Sequence, residues 1–223
     1  MAQDPRLTEL LRWSVEHSDA TLDDPAAAQT AASQPSQSQL TPQMMAALMG
    51  GPSDADLMKA SMELITAPDA EVNLENKLIA WDNFEQLIES LDNANNMSNL
   101  GLWTPLLEQL KHEESEMKKM AAWCVGTAVQ NNEKTQERLV AMGEAGLPTL
   151  VGVALGGAGE KEDVRRKAVY ALSSACRNYQ PAMDVCVEEL QKRGFGEGVK
   201  IDAFDMQAVD AIVHALRERA KST

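Results

Sequence analysis

The chain has 223 residues, 44% apolar but only 4% aromatic, which favours one helical domain or an elongated helical array over a β-sandwich or barrel. The formal net charge of -14 disfavours binding to nucleic acid and to an anionic membrane surface. No run of about 18 apolar residues is present, and the N-terminus is too polar for a secretory signal, so no membrane contact is expected.

The first 52 residues divide into a short amphipathic segment and a low-complexity tract. A helix over about 5–18, within an N-terminal segment 1–18, is predicted from apolar residues at helical spacing: Leu7, Leu10, Leu11 and Val15. Residues 19–52 are rich in Ala, Gln, Ser, Thr and Pro. Such a composition buries too little apolar surface to order itself, so a flexible segment is expected there.

An apolar island interrupts the low-complexity tract, formed by Met44, Met45, Leu48 and Met49. One interpretation is a transient helical turn in a spacer. The other is a short docking segment, since Met-rich patches adapt to varied apolar grooves.

Residues 53–223 are predicted to form a helical domain. Ser53 or Asp54 caps a helix that stops before Pro68. A long helix over 74–96 follows, with an apolar stripe of Leu78, Trp81, Phe84, Ile88 and Leu91. Its end is assigned to the Asn- and Asp-rich run 92–96, because these side chains compete for backbone hydrogen bonds. Further helices are expected over about 105–111, 115–130, 133–142, 147–155, 161–178, 181–193 and 205–220.

An internal repeat links three of these helices. EMKKMAAWCVGTAVQN, over 116–131, aligns without a gap with DVRRKAVYALSSACRN, over 163–178, at an offset of 47 residues. Trp81 placed over Trp123 extends the repeat at an offset of 42. Periods of about 40 to 47 are typical of armadillo- and HEAT-type arrays, in which neighbouring units stack to bury a continuous core.

The junction over 140–151 is also typical of armadillo repeats. Gly143 stops one helix, and Pro148 pre-sets the first turn of the next. The expected fold is therefore all-α, an armadillo-like right-handed helical solenoid of about three repeats, with the N-terminal helices and the last helix as caps.

Three equivalent helices are expected to finish in polar residues: 92–96, 130–132 and 177–179. Stacking would bring these ends into a row along the concave surface. The row is either a set of helix caps or a recognition strip of uncharged groups with one arginine, and the threefold recurrence favours recognition.

Enzyme chemistry finds no support in the sequence. The three histidines lie far apart, without metal-ligand spacing, and no nucleotide-binding loop or nucleophile elbow is present, so no metal or cofactor is expected. The chain has an odd number of cysteines, Cys124, Cys176 and Cys186. We interpret them as reduced core thiols of a cytosolic or nuclear protein.

Five blocks carry a family resemblance: LLRWSVEHS, LMKASMELI, KLIAWDNFEQLIESLDNANN, WCVGTAVQNN and RRKAVYALSSACRN. Over about residues 1–193 the chain resembles the fungal cytosolic nucleotide exchange factors of the 70-kilodalton heat-shock chaperones, which are relatives of an animal heat-shock-protein-binding protein. The tract over about 19–40 matches nothing definite in that family.

The resemblance implies a cytoplasmic, monomeric regulator whose concave face grips one lobe of the chaperone's ATPase domain and accelerates ADP release, which promotes client release. Carried over by motif, the partner-binding residues are Glu89, Asn93, Ala94, Asn95, Gln130, Asn131, Arg177 and Asn178. Arg177 is expected to act as an anchor, because arginine is enriched in interface hot spots. With a chaperone as partner, the apolar island of Met44, Met45, Leu48 and Met49 is expected to compete with clients for the chaperone's peptide groove.

The main rival is an armadillo adaptor that binds an extended peptide through a Trp and an Asn one helical turn apart in each repeat. The residues four after Trp81, Trp123 and Tyr170 are Glu, Thr and Ser, so that ladder is absent. The endoplasmic-reticulum branch of the same family is disfavoured by the missing signal peptide.

Overall fold

The computed structural model describes residues 51–156, 159–196 and 199–221, and this part of the chain contains ten α-helices and no strand. The helices are α1 Asp54–Thr66, α2 Leu74–Ile88, α3 Leu91–Asn96, α4 Trp103–Glu108, α5 Ser115–Val129, α6 Glu133–Ala141, α7 Leu147–Leu155, α8 Glu162–Cys176, α9 Gln180–Lys192 and α10 Met206–Lys221. Two 3-10 turns, Gln109–Lys111 and Gly143–Ala145, continue α4 and precede α7. The all-α prediction is confirmed for these residues.

Local signals set most of the helix ends. The Ser53 hydroxyl accepts a hydrogen bond from the Asp56 amide at 3.2 Å, so Ser53 is the residue that caps α1. Asn73 caps α2 in the same way, through the Asn76 amide at 2.9 Å. Gly143 adopts a φ of 58° after α6, a left-handed conformation that glycine takes without strain. The predicted junction is therefore confirmed.

The segment predicted as one helix over 74–96 is two helices. α2 ends at Ile88, and Ser90, with φ -70° and ψ 126°, leaves the helical conformation before α3 begins. Leu91, assigned to the buried stripe, has 58% of its surface exposed because the break turns α3 away from the line of α2. The Asn-rich run 92–96 is thus most of a short helix and not the end of a long one.

The long helices stack in chain order: α2 packs on α5, α5 on α8, and α8 on α10. The shorter helices fill in behind them, with α1 against α2, α7 against α8 and α9 against α7. Each long helix contacts its neighbours in the series and the shorter helices beside it. This arrangement is the one expected of armadillo-like repeats. The right-handed superhelical sense stays a prediction.

The helix bounds correct the register of the first repeat. α2, α5 and α8 each have 15 residues, and they begin at residues 74, 115 and 162. The second offset is the predicted 47, but the first is 41 and not 42. Trp81 is wholly buried while Trp123 is only half-buried, so the two tryptophans are not equivalent. Trp81 corresponds instead to the buried Ala122.

The core runs between these helices without a gap in the described residues. Trp81 meets Phe84 edge to face at 6.3 Å between ring centroids, and its indole N–H donates to the Met117 sulfur at 3.4 Å. Between α5 and α8, Gly126 allows close packing, since a Cβ at that position would lie 2.4 Å from the Tyr170 ring. Truncating a wholly buried aromatic side chain such as Trp81 typically lowers the free energy of unfolding by about 3–5 kcal/mol.

The predictions for 1–18 and 19–50, including the Met island, lie outside the described residues. Within the described ranges no single helix has the length and apolar character needed to span a membrane. One bent pair, Glu133–Ala141 with Gly143–Leu155 at 115°, meets the length and composition criteria together.

Candidate functional site

The last turns of α2, α5 and α8 place three side chains at corresponding positions. Glu89, Gln130 and Arg177 each follow directly after the last residue of their helix, as its C-cap. Glu89 and Gln130 are exposed, and Arg177 is half-buried. Because the helices stack in order, these positions repeat along one edge of the domain. We call Glu89, Gln130 and Arg177 the cap row.

Two predicted contact residues, Asn131 and Asn178, have a clear backbone role. They are the only non-glycine residues with positive φ in the described part of the chain, at 52° and 58°. Asparagine tolerates this left-handed conformation better than other side chains, so both residues terminate their helices. The backbone N–H of Asn178 also donates to the Ala203 carbonyl at 3.0 Å. Both side chains remain on the exposed surface beside the cap row.

The other three predicted residues, Asn93, Ala94 and Asn95, lie on α3 and not at the end of α2. The Asn93 amide donates to the Leu87 carbonyl at 2.9 Å and to the Asp54 carboxylate at 2.8 Å, which ties α3 to α2 and α1. Ala94 has 2% of its surface exposed, so it offers a partner almost no area in this structure. Its small size instead lets α3 pack closely.

Asn95 differs from its neighbours on α3. Its side-chain oxygen is buried and has no hydrogen-bond partner. A buried acceptor without a donor is costly, so such groups in native structures call for an explanation. Asn95 is half-buried as a residue, and its oxygen is the one buried acceptor in the predicted site that lacks a hydrogen-bond partner.

Gln130 connects the cap row to the next helix. The Tyr170 hydroxyl of α8 donates to its side-chain oxygen at 3.1 Å. This bond restrains one end of an exposed side chain. A preorganised side chain loses less entropy when it binds.

The Arg177 side chain contacts both its own helix, α8, and the neighbouring α10. Its Nε donates to the Ser173 hydroxyl at 3.1 Å, and its guanidinium pairs with the Asp210 carboxylate of α10. The Met206 sulfur lies 3.5 Å from Nη1. The side chain is therefore positioned and still 32% exposed, as an interface anchor requires.

A residue that the sequence reading missed, Gln136, supports this end of α8. It is 3% exposed, and its amide donates to the carbonyls of Ser174 at 3.0 Å and Arg177 at 3.1 Å. The last carbonyls of a helix lack partners within the helix, so Gln136 supplies them from α6. The available signal was a polar residue three positions before the buried Leu139, on the face that α6 turns inward.

Two buried thiols on the stacked helices, Cys124 of α5 and Cys176 of α8, have raised pKa values. Burial, aided by Glu85 and Asp82, raises the pKa of the Cys124 thiol well above its ordinary value. A hydrogen bond to Cys186 and burial likewise raise the pKa of Cys176. Thiols of this kind stay protonated and are poor nucleophiles. No cluster among the described residues brings three His, Cys, Asp or Glu side chains together to hold a metal ion.

Two family models match adjoining parts of the chain. The model described as nucleotide exchange factor Fes1 matches residues 7–97. The model of the SIL1/FES1/HPBP1 C-terminal domain matches residues 93–189, which include Gln130 and Arg177 of the cap row and most of α3. Together the two models extend from before α1 into α9.

Curated relatives extend the similarity to almost the whole chain. The Hsp70 nucleotide exchange factor FES1 of Gibberella zeae is 66% identical over 217 residues, which cover 97% of both chains. The corresponding protein of Neurospora crassa is 60% identical over 81% of this chain and 74% of its own. That of Coccidioides immitis is 49% identical over 96% and 98%.

Among solved structures, an engineered protein aligns with a TM-score of 0.49 at 18% identity, over 81% of this chain and 71% of its own, and this similarity adds nothing to the assignment. The family models and the fungal relatives are sufficient without it. The chain belongs to the FES1 family of Hsp70 nucleotide exchange factors.

Proposed function

We propose that this chain is a co-chaperone that binds the ATPase domain of a cytosolic Hsp70 and accelerates the release of ADP. The observation that carries the proposal is the 66% identity, over 97% of both chains, to a protein named as an Hsp70 nucleotide exchange factor. ATP then rebinds to the chaperone, and the client is released. The chain itself performs no covalent step and requires no cofactor.

The energetic requirement for this activity is a difference in affinity between two states of the chaperone. The factor must bind the nucleotide-free, open ATPase domain more tightly than the ADP-bound, closed domain, since only that difference shifts the equilibrium. A rigid stack of helices suits this task. It presents a fixed surface that one lobe of the ATPase domain matches only in the open state.

The cap row and its neighbours on α3 are the proposed binding surface. Arg177 is the proposed anchor, since it is preorganised by Ser173 and Asp210 and half-exposed. Gln130 adds an exposed side-chain amide, and Asn95 adds a half-buried side chain on α3 whose enclosed oxygen lacks a hydrogen-bond partner. Glu89, Asn93, Asn131 and Asn178 surround these groups. Ala94 contributes by its close packing, because its side chain is buried.

The test is the release of a fluorescent ADP analogue from purified Hsp70, mixed rapidly with this protein and excess ATP. Wild-type protein is expected to accelerate release. Arg177→Ala is expected to weaken the effect by about tenfold or more, the loss typical of a hot-spot arginine. Arg138→Ala is the matched control, because Arg138 is an exposed arginine on α6.

The outcomes separate function from site. Acceleration by Arg177→Ala equal to wild type would keep the exchange function and reject Arg177 as the anchor. No acceleration by wild type, with an Hsp70 shown to hydrolyse ATP, would favour the alternative of an armadillo adaptor without exchange activity.

A further inference from the structure

A cleft of about 660 Å³ crosses three stacked long helices, α5, α8 and α10, beside the cap row. Its walls combine two aromatic rings with four cationic side chains: Trp123, Tyr170, Lys119, Arg166, Lys167 and Arg217. Among the described residues, Asp163 is the one acidic side chain that lines it. The cleft is thus a cationic and aromatic surface on a chain whose formal net charge is -14.

Two of the four cations have carboxylate partners within the protein. Lys119 pairs with Glu116 and lies 3.5 Å from the Asp163 carboxylate. Arg166 lies 3.5 Å from the carboxylate of Glu162, one turn earlier on α8. These pairs leave the cleft's positive charge only partly neutralised.

The other two cations, Lys167 and Arg217, have no carboxylate within 4 Å among the described residues. Lys167 places its ammonium 3.6 Å above the Trp123 ring centroid and 5.8 Å from that of Tyr170. Its contact is therefore with aromatic faces. Burial lowers the pKa of Lys167, although Glu85 opposes that shift. A carboxylate that reached this ammonium would offset its lost hydration.

The cleft is continuous with the proposed binding surface. Tyr170 lines the cleft with its ring and donates from its hydroxyl to Gln130 of the cap row at 3.1 Å. A partner seated on the cap row therefore reaches the cleft without a gap. Because the chain as a whole carries a formal net charge of -14, a cationic cleft next to the cap row is a favourable place for an acidic group of the partner.

We infer that this cleft is a second contact surface for the same partner and takes an acidic segment of the Hsp70 ATPase domain, with carboxylates at Lys167 and Arg217 and apolar contact at the Trp123 ring. The inference rests on the proposed function. A nucleic acid is a poor fit, because the formal net charge of -14 disfavours a long run of phosphates. The cleft speeds association and fixes the orientation of the complex, as complementary charges do at other interfaces.

The experiment measures binding of full-length chain to purified Hsp70 ATPase domain, at low salt and at about 0.15 M ionic strength, where the screening length is about 8 Å. Lys167→Glu/Arg217→Glu is the test variant. Arg217→Glu alone accompanies it, because Arg217 is exposed and its replacement leaves the Trp123 contact intact. Lys59→Glu/Lys111→Glu is the control, since both lysines are exposed, lie outside the cleft and give the same change in charge.

The double cleft variant is expected to bind about tenfold or more weakly at low salt and to lose most of the salt dependence of wild type, since like charges now meet across the interface. Arg217→Glu alone is expected to bind about threefold or more weakly, and the control within about twofold of wild type. Unchanged unfolding temperatures would verify folding.

Cleft variants that bind as wild type does, while wild type accelerates ADP release, would overturn the inference and leave the proposed function standing. An equal loss in the control would also overturn it, because the effect would then follow total charge and not the cleft. If wild type neither binds the ATPase domain nor accelerates ADP release, the proposed function fails, and the inference fails with it.

Discussion

Arg177, at the end of α8, pairs its guanidinium with the Asp210 carboxylate on α10, 33 residues further along the chain. The pair joins two stacked helices at the edge where a partner is proposed to bind. Both side chains are partly exposed, at 32% and 63%, so the pair contributes at most about 1 kcal/mol to folding. Asp210 therefore competes with any partner for the same guanidinium.

Removing that competitor is expected to strengthen partner binding. In Asp210→Asn the guanidinium no longer faces an internal charge, and the affinity for the Hsp70 ATPase domain should rise by about threefold, the value of an exposed pair. Isothermal titration calorimetry measures the change. Glu218→Gln, which removes a charge elsewhere on α10, serves as the control. Binding as weak as that of Arg177→Ala would mean that the ion pair itself is needed to orient the arginine.

Gln136→Met is expected to destabilise the end of α8. The methionine fills a similar volume but leaves the carbonyls of Ser174 and Arg177 without their donor, at a cost of about 1–3 kcal/mol. Urea unfolding followed by circular dichroism measures the loss. Gln86→Met, at an exposed position of α2, should change stability by less than about 0.5 kcal/mol. Equal stability of Gln136→Met and wild type would show that solvent satisfies both carbonyls.

Gly126→Ala is expected to separate α5 from α8. The added methyl group would lie 2.4 Å from the Tyr170 ring and 3.1 Å from the Ala171 backbone, and overpacking of this kind costs about 1–3 kcal/mol. Gly152→Ala is the matched control, because the methyl group there meets only the end of the Arg193 side chain. Helix propensity favours alanine at both positions, so a stabilised Gly126→Ala would contradict the close packing.

Acid is expected to weaken the contact between Asp69 and the buried Lys77, which lie 2.6 Å apart. The hydrogen bond from Lys77, with its charge, lowers the pKa of Asp69 below the ordinary 3.8. A lowered folded-state pKa means that the pair contributes fully above 3.8, and its contribution is lost as the pH falls through the folded-state value.

The comparison of wild type with Asp69→Asn tests this relationship through urea midpoints from neutral pH to below 3.8. At neutral pH the variant should be less stable, since it leaves Lys77 buried without its counter-charge. As the pH falls below 3.8, the variant should lose less stability than wild type. Parallel pH profiles for the two proteins would exclude a contribution from the pair.

Sequence reasoning located the helices where local chemistry decides them. α7 runs from Leu147 to Leu155, as predicted, because a Gly-Leu-Pro start and a glycine stop leave little choice. The break at Ser90 was missed because the apolar spacing continues through Leu91, and spacing alone cannot register one residue that leaves the helical conformation. The offset of 42 was wrong because two tryptophans were matched by type, although one is buried and the other is half-buried.

The candidate site was predictable in part. Arg177, Gln130 and the two asparagines came from the repeat, which also located them at helix ends. Their partners were not accessible, since Asp210 and Tyr170 are distant in sequence and only packing brings them near. The burial of Ala94 depends in the same way on how α3 packs, and α3 was not foreseen as a separate helix.

The unequal environments of the tryptophans give the protein a built-in optical reporter. Trp81 and Trp103 are sealed in the core, at 0% and 1% exposure, so their emission should respond to unfolding and little else. Trp123 lies half-exposed beneath the Lys167 ammonium in the cleft. A ligand that draws Lys167 away changes the electric field at that indole. Occupancy of the cleft should therefore appear as a spectral shift in the unlabelled protein, assignable to Trp123 by its loss in Trp123→Phe.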